Sequence, residues 1–254
     1  MPKQPADGIR KLVAGMRPDQ QRRVADFAKA LASPPASTCR NKGVINQAFV
    51  DRIGDALRIH HMFSLEPFTK DKFEYAAVAA LREIGVNAVK APRGNRGHDL
   101  TVGKERWSLK TQADAGIRRD FLHISKFMEL GRGRWSTESD LLGLRDQMLE
   151  HMRSYDRIFS LRRLCSPLTS VIAECEYELV EIPKALLERS AHGIFAMRHE
   201  SRQNPKPGYC TVCDDKGRQL FQLYFDGGTE RKLQIKLLAK SECEVLATWR
   251  LTVE

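Results

Sequence analysis

The stretch Gly97-His98-Asp99-Leu100-Thr101-Val102-Gly103-Lys104-Glu105-Arg106-Trp107-Ser108-Leu109-Lys110-Thr111 decides how this chain is read. Two short runs of apolar and polar side chains flank Gly103-Lys104-Glu105, a composition suited to a tight turn between antiparallel strands. The spacing predicts a β-hairpin that sets Asp99 and Lys110 on adjacent strands, near the same end and face of a sheet. A carboxylate beside a lysine suits phosphodiester hydrolysis. The carboxylate offers hard oxygen ligands to a divalent cation. Such a cation polarises a phosphate and lowers the pKa of a bound water, while the lysine orients that water or offsets charge on the phosphorus oxygens.

Upstream of the hairpin, Thr69 is placed to N-cap a helix with Asp71 in its first turn. Phe73, Ala76, Ala77, Ala80, Leu81 and Ile84 form its apolar stripe, and Gly85 ends it. Residues 86–89 read as a strand, and Pro92-Arg93-Gly94-Asn95-Arg96-Gly97 as a glycine-rich basic loop. Downstream, residues 124–130 and 137–155 read as helices, the second with Leu141, Leu144, Met148 and Met152 on one face. Residues 157–161 and 176–180 read as strands, and Pro183 opens another helix. The last fifty residues read as an antiparallel meander with strands at 220–225, 232–237 and 244–251.

At the other end, Ile9, Leu12, Val13 and Met16, then Val24, Phe27, Ala28 and Leu31, recur at helical spacing. Ser33-Pro34-Pro35-Ala36-Ser37-Thr38 breaks that pattern. A further helix is expected over 44–62, with Phe49, Ile53, Leu57 and Ile59 or His60 facing inward. This region reads as a helical appendage that presents a DNA-facing or dimer-facing surface. The expected class is therefore α+β, mixed α/β in character. The expected division is an N-terminal helical region (1–66), a catalytic core (67–190) and a C-terminal β-rich region (191–254) packed on that core.

Composition supports a folded protein with a polyanionic partner. The 254 residues are 42% hydrophobic and 29% charged, which excludes wholesale disorder. There is no uncharged apolar run of membrane-spanning length, and Met1-Pro2-Lys3-Gln4-Pro5-Ala6-Asp7 lacks the apolar core of a secretory signal. Six cysteines scattered through the chain do not form a dense disulfide framework, so a cytoplasmic location is expected. Lys and Arg number 42 against 32 Asp and Glu, a formal charge of +10. The surplus is concentrated: residues 90–134 carry eleven basic and five acidic side chains. Such a field gathers polyanions, and the Asp99–Lys110 hairpin lies inside it.

These features together resemble the PD-(D/E)XK nuclease superfamily and, within it, a type II restriction endonuclease. The resemblance is carried by Phe73-Glu74 on the preceding helix, Gly97-His98-Asp99-Leu100, and Trp107-Ser108-Leu109-Lys110-Thr111. The order of helix, strand, Asp-bearing strand and Lys-bearing strand also matches. It covers residues 67–130 and extends toward 180. The resemblance implies a restriction-endonuclease-like core, a central mixed sheet flanked by helices. It also implies Mg²⁺-dependent, sequence-specific cleavage of double-stranded DNA that leaves 5′-phosphates without a covalent enzyme intermediate. In that frame Asp99 is a metal ligand, Lys110 the catalytic lysine and the Leu109 carbonyl a backbone ligand.

Two positions depart from the family pattern. His98 replaces the proline before the aspartate, and Ser108 stands where the family carries a carboxylate two residues before the lysine. Glu74 is the first candidate for the missing acid and Glu129, on the helix expected after the hairpin, the second. Ser108 is then a polar strand residue or a hydrogen-bond partner of metal-bound water. Arg93, Arg96, Arg118 and Arg119 are candidate DNA contacts, because the guanidinium fork matches phosphate oxygens and guanine edges. The 226–232 hairpin is either a surface turn or a groove reader.

Cutting both strands of a symmetric site needs two active sites, so a homodimer is expected, with a cognate DNA methyltransferase as genetic partner. Ser108 keeps open a non-catalytic DNA-binding protein on a decayed nuclease core; a monomeric nicking or repair endonuclease and an RNA-processing protein are further alternatives. Cys210-Thr211-Val212-Cys213 is a lone CxxC, two ligands short of a structural zinc site, with His192, His199 and Cys243 as the conceivable completions. His60-His61 reads as an interfacial pair on a helix, and Trp107, Trp135 and Trp249 as core anchors.

Overall fold

The decisive hairpin forms where the sequence places it. In this computed structural model, which describes residues 5–92, 94–95, 97–113, 116–164 and 173–253, β3 (Leu100–Val102) pairs antiparallel with β4 (Glu105–Gln112). Leu100 faces Trp107, and the Asp99 amide extends the ladder by donating to the Trp107 carbonyl at 2.8 Å. The helix before it, α4 (Lys70–Glu83), buries Phe73, Ala77, Ala80 and Leu81 as its stripe requires, and also Glu74 and Val78. Thr69 takes the N-cap position without a bond from its hydroxyl.

The remaining elements are α1 (Pro5–Ala14), α2 (Pro18–Ala32), β1 (Ala36–Cys39), α3 (Gln47–His61), β2 (Ala88–Lys90), β5 (Phe121–Glu129) and α5 (Glu138–Met152). They are followed by β6 (Arg157–Arg163), β7 (Ala173–Glu181), α6 (Lys184–Glu188), β8 (Ile194–Met197), β9 (Gly208–Cys213), β10 (Gln219–Asp226), β11 (Lys232–Ala239) and β12 (Glu244–Val253). A seven-stranded sheet runs β1-β12-β7-β6-β4-β3-β2, antiparallel except where β4 lies parallel to β6. A five-stranded antiparallel sheet runs β5-β11-β10-β9-β8. This is the expected α+β class with a mixed sheet.

Two apolar cores flank the larger sheet, and the second is shared with the five-stranded sheet. Helices α3 and α4 pack Phe49, Ile53, Leu57, Phe73 and Leu81 against Trp107, Leu109 and Trp249 of the larger sheet. On the second side, α5 contributes Leu141, Met148 and Met152 to a cluster with Ile158, Val180, Phe221, Leu223 and Ile235. The larger sheet is thus covered on both faces, and β4 is held in its interior.

Four expectations need correction. Residues 124–130 are not a helix but most of β5, so Glu129 stands on a strand. The helical spacing of Ile124 and Phe127 arises from an irregular register: Ile124 is opposite Ile235 while Met128 is opposite Leu233, four residues matched to two. Such a bulge brings side chains three apart to the same buried face. The 33–38 break ends in β1, an edge strand on β12, a location that tolerates the preceding prolines. On α3 the fully inward residue of the last turn is His61, which bonds the Tyr177 hydroxyl (2.8 Å) and Ser64 carbonyl (2.8 Å), while Ile59 and His60 are half-buried. The meander is real as far as β11, after which β12 crosses to the larger sheet between β1 and β7.

Candidate active site

Alternation along β4 sorts its side chains. Trp107 and Leu109 enter the core, whereas Ser108 and Lys110 line the opposite, cleft-facing side. That cleft, of about 780 Å³, is also lined by Lys70, Gly94, Asn95, Gly97, Asp99 and His151. Strand β5 forms its far wall and includes Phe127 and Glu129. Gly97 lets the basic loop lie against the end of α5, since a Cβ there would stand 2.9 Å from the Ser154 side chain.

Asp99 is fixed from two sides. One carboxylate oxygen accepts from the Leu109 amide at 2.6 Å and lies 3.5 Å from the Ser108 hydroxyl. The other oxygen accepts from the Lys70 ammonium at 2.7 Å. Lys70 also lies 3.5 Å from Glu74, whose second oxygen pairs with Lys90 at 2.8 Å. Asp99 and Glu74 therefore converge on one cation, although they come from different elements. Both are oxygen donors to a hard positive charge, and the donor set fits a divalent metal. Glu74 and then Asp71 hold the Lys90 ammonium well above its ordinary range.

The Lys110 side chain is half-buried, with its ammonium 3.3 Å from the Phe127 carbonyl and 5.5 Å from that ring. Burial, then the neighbouring Lys70 charge, pulls its pKa down to about 8. His151 on α5 stands in the same cleft; burial and then Lys110 lower its pKa, favouring the neutral imidazole. A half-buried lysine whose proton is loosely held, beside two carboxylates that share a cation, is the environment expected where phosphate chemistry is run.

The other expected residues fall as follows. Glu129 lines the cleft, but its side chain is 65% exposed and pairs with Lys126 at 2.9 Å. Arg118 lies over the Phe121 ring at 4.3 Å, and Arg119 pairs with Glu176 at 2.9 Å beside a separate groove with Arg58 and Arg250. Arg93 and Arg96 lie outside the described residues. Cys210 and Cys213 project to opposite sides of β9, one buried and one half-buried, because three residues along a strand reverse the face. Among the described residues no group of three or more His, Cys, Asp or Glu gathers to hold a metal. Cys175 is disulfide-bonded, while Cys39, Cys210, Cys213 and Cys243 are free.

Sequence reasoning missed Lys70, Lys90 and His151. For Lys70 a signal existed: it precedes Glu74 by four residues on one helix, the spacing at which opposite charges meet. His151 carried no local signal, since its place depends on α5 packing beside β5.

The mixed sheet and its hairpin are consistent with the fold of a type II restriction endonuclease. The family model for SmaI, type II site-specific deoxyribonuclease, matches residues 11–251. A type II restriction enzyme SmaI from Serratia marcescens is 42% identical over 209 residues, 81% of each chain. The chain belongs to the SmaI family of type II site-specific deoxyribonucleases. No solved structure matches it. Among the described residues no helix is long and apolar enough to cross a membrane.

Proposed function

We propose that this sequence-specific DNA endonuclease works by Mg²⁺-dependent hydrolysis at the Asp99 cleft, leaving 5′-phosphates. The observation that carries the reading is the convergence of Asp99 and Glu74 on the Lys70 ammonium, beside Ser108 and Lys110. Asp99, Glu74 and the Leu109 carbonyl would hold Mg²⁺, which when bound supplies Lewis acidity to the phosphate and acidifies water. Glu74 is favoured over Glu129 because it is buried and already shares a cation with Asp99.

The chain's own groups do the rest. The Leu109 amide and Ser108 hydroxyl fix one oxygen of the Asp99 carboxylate, leaving the second to the Lys70 ammonium, the oxygen that would be offered to the metal. Lys110, still mostly protonated at neutral pH, orients the attacking water and offsets charge on the phosphorus oxygens. Water attacks the phosphorus and the P–O3′ bond breaks, so the departing oxygen becomes a protonated 3′-hydroxyl, the other end keeps a 5′-phosphate, and no protein group becomes covalently attached to DNA.

The fragment ends test this directly. Fragments made with Mg²⁺ should accept a labelled 5′-phosphate from a polynucleotide kinase only after phosphatase treatment, and none should form in EDTA. Ends labelled equally without phosphatase, or cleavage in EDTA, would contradict it.

The working unit is a homodimer, with a DNA methyltransferase protecting the host genome and a cytoplasmic location. Ile9, Leu12 and Leu31 of α1 and α2, with the adjacent Phe63, are large exposed apolar side chains, and they suit a subunit contact better than solvent. Arg93 and Arg96, neighbours in sequence of the cleft-lining Gly94 and Asn95, are assigned to the DNA backbone on sequence alone, and the exposed Arg118 is assigned with them.

A further inference from the structure

Next to the cleft, and sharing Gly131 with it, lies a second cavity of about 580 Å³ where three loops meet. These are residues 131–135 after β5, residues 203–206 before β9, and the turn at 226–229 between β10 and β11. Such loops would ordinarily be mobile, but side chains tie them together. The Trp135 indole donates to the Lys206 carbonyl at 2.7 Å. Gln203 donates to Asp226 at 3.2 Å, and Gln234 donates to the other Asp226 oxygen at 3.0 Å. Arg231 donates to the carbonyls of Arg132 (2.6 Å) and Gly133. At Gly227 a Cβ would stand 1.8 Å from the Pro205 carbonyl oxygen, so only glycine permits the two loops to touch.

Against this fixed platform, Arg132 and Arg134 stand out. Both are exposed, both line the cavity, and neither guanidinium has a hydrogen bond or ion pair among the described residues. Arg231, by contrast, is consumed in holding the loop that carries them. Two free guanidinium groups on a pre-organised loop beside a phosphodiesterase cleft are placed to meet duplex DNA without paying for loop ordering.

We infer that this three-loop platform is the base-reading surface, with Arg132 and Arg134 donating to guanine edges in the major groove. The arginine fork matches guanine O6 and N7 in a way a lysine ammonium cannot. The inference rests on DNA crossing the Asp99 cleft, and it adds the residues that choose the sequence.

The test separates reading from chemistry. A binding selection from random duplexes with the wild-type protein in Ca²⁺ defines the bound sequence whether or not cleavage occurs as proposed. Anisotropy titrations then compare that duplex with a scrambled one for wild type, Arg132→Ala, Arg134→Ala and Arg134→Lys, each checked for an unchanged melting temperature. Each alanine variant should lose roughly 10- to 100-fold on the selected duplex, while changing scrambled-duplex binding by less than about threefold. Arg134→Lys should not restore discrimination. Equal losses on both duplexes with a shallower salt dependence would make these phosphate contacts and overturn the inference, as would unchanged binding or a selected sequence without G·C pairs. Asp99→Ala cleaving at wild-type rates while binding stays selective would instead sink the catalytic reading alone.

Discussion

Glu178→Gln should destabilise the protein far more than its small change in shape suggests. Glu178 on β7 lies directly opposite Arg162 on β6, and both side chains are fully buried and hydrogen-bonded to each other. Glu178 also receives Lys240 at 3.1 Å. Breaking a buried ion pair from one side costs about 3–5 kcal/mol, because the remaining charge stays desolvated. Arg162 would keep three neutral acceptors, the Gln112 side chain (3.0 Å) and the carbonyls of Arg118 (2.7 Å) and Phe121 (2.8 Å). That retention puts the expected loss at the lower end, about 3 kcal/mol, or about 6–12 °C in melting temperature for a chain of this size. Thermal and urea unfolding of wild type and Glu178→Gln measure it. Arg162→Met combined with Glu178→Leu removes both charges and should recover most of the loss, since apolar side chains replace such a pair at little cost. A single-variant loss below about 1 kcal/mol, or a double variant no better than the single, refutes the reasoning. The network also reaches the site: Gln112 ends β4, Phe121 begins β5, and the Phe127 carbonyl of β5 receives Lys110. Cleavage by Glu178→Gln should therefore slow at temperatures where it is still folded.

Two further predictions concern pH. Burial lowers His61 to about 4, so as pH falls from 6.5 the unfolded chain takes up a proton that the native one refuses, and stability drops until about pH 4. His61→Gln should flatten this acid limb by about 2–3 kcal/mol in urea titrations at pH 7 and pH 4, and an unchanged limb would exclude His61 as its source. Lys110, lowered to about 8, works the same way at alkaline pH: between 8 and 10.5 the unfolded chain holds the proton longer, so stability rises with pH. Below 8 the charged lysine is a net penalty, and in EDTA at pH 7 Lys110→Met should be more stable by about 1–2 kcal/mol, a value reduced for its partial exposure. A less stable Lys110→Met at pH 7 would contradict this.

The sequence revealed the site where chemistry is local and concealed it where it is not. Asp99 and Lys110 share a hairpin with a short turn, so their proximity follows from strand alternation and register alone. Glu74 was reachable because its helix immediately precedes that hairpin. The far wall was not: β5 carries a bulge that imitates helical spacing, and its partner β11 lies about a hundred residues away in sequence. The arginine platform was hidden for the same reason. The turn at 226–229 was visible as a turn, but only its contacts with Pro205 and with the loop before Trp135 give it a place beside the cleft. Likewise, β1 and β12 complete the sheet that holds β4 although they come from opposite ends of the chain.

The most direct test of the central claim is incubation of unmethylated phage DNA with Mg²⁺ and wild type, Asp99→Ala or Lys110→Ala. The account predicts discrete fragments from wild type and intact DNA from both variants, each of which still binds the DNA. Fragments at an undiminished rate from either variant would mean that the cleft between β4 and β5 is not where the phosphodiester bond is broken.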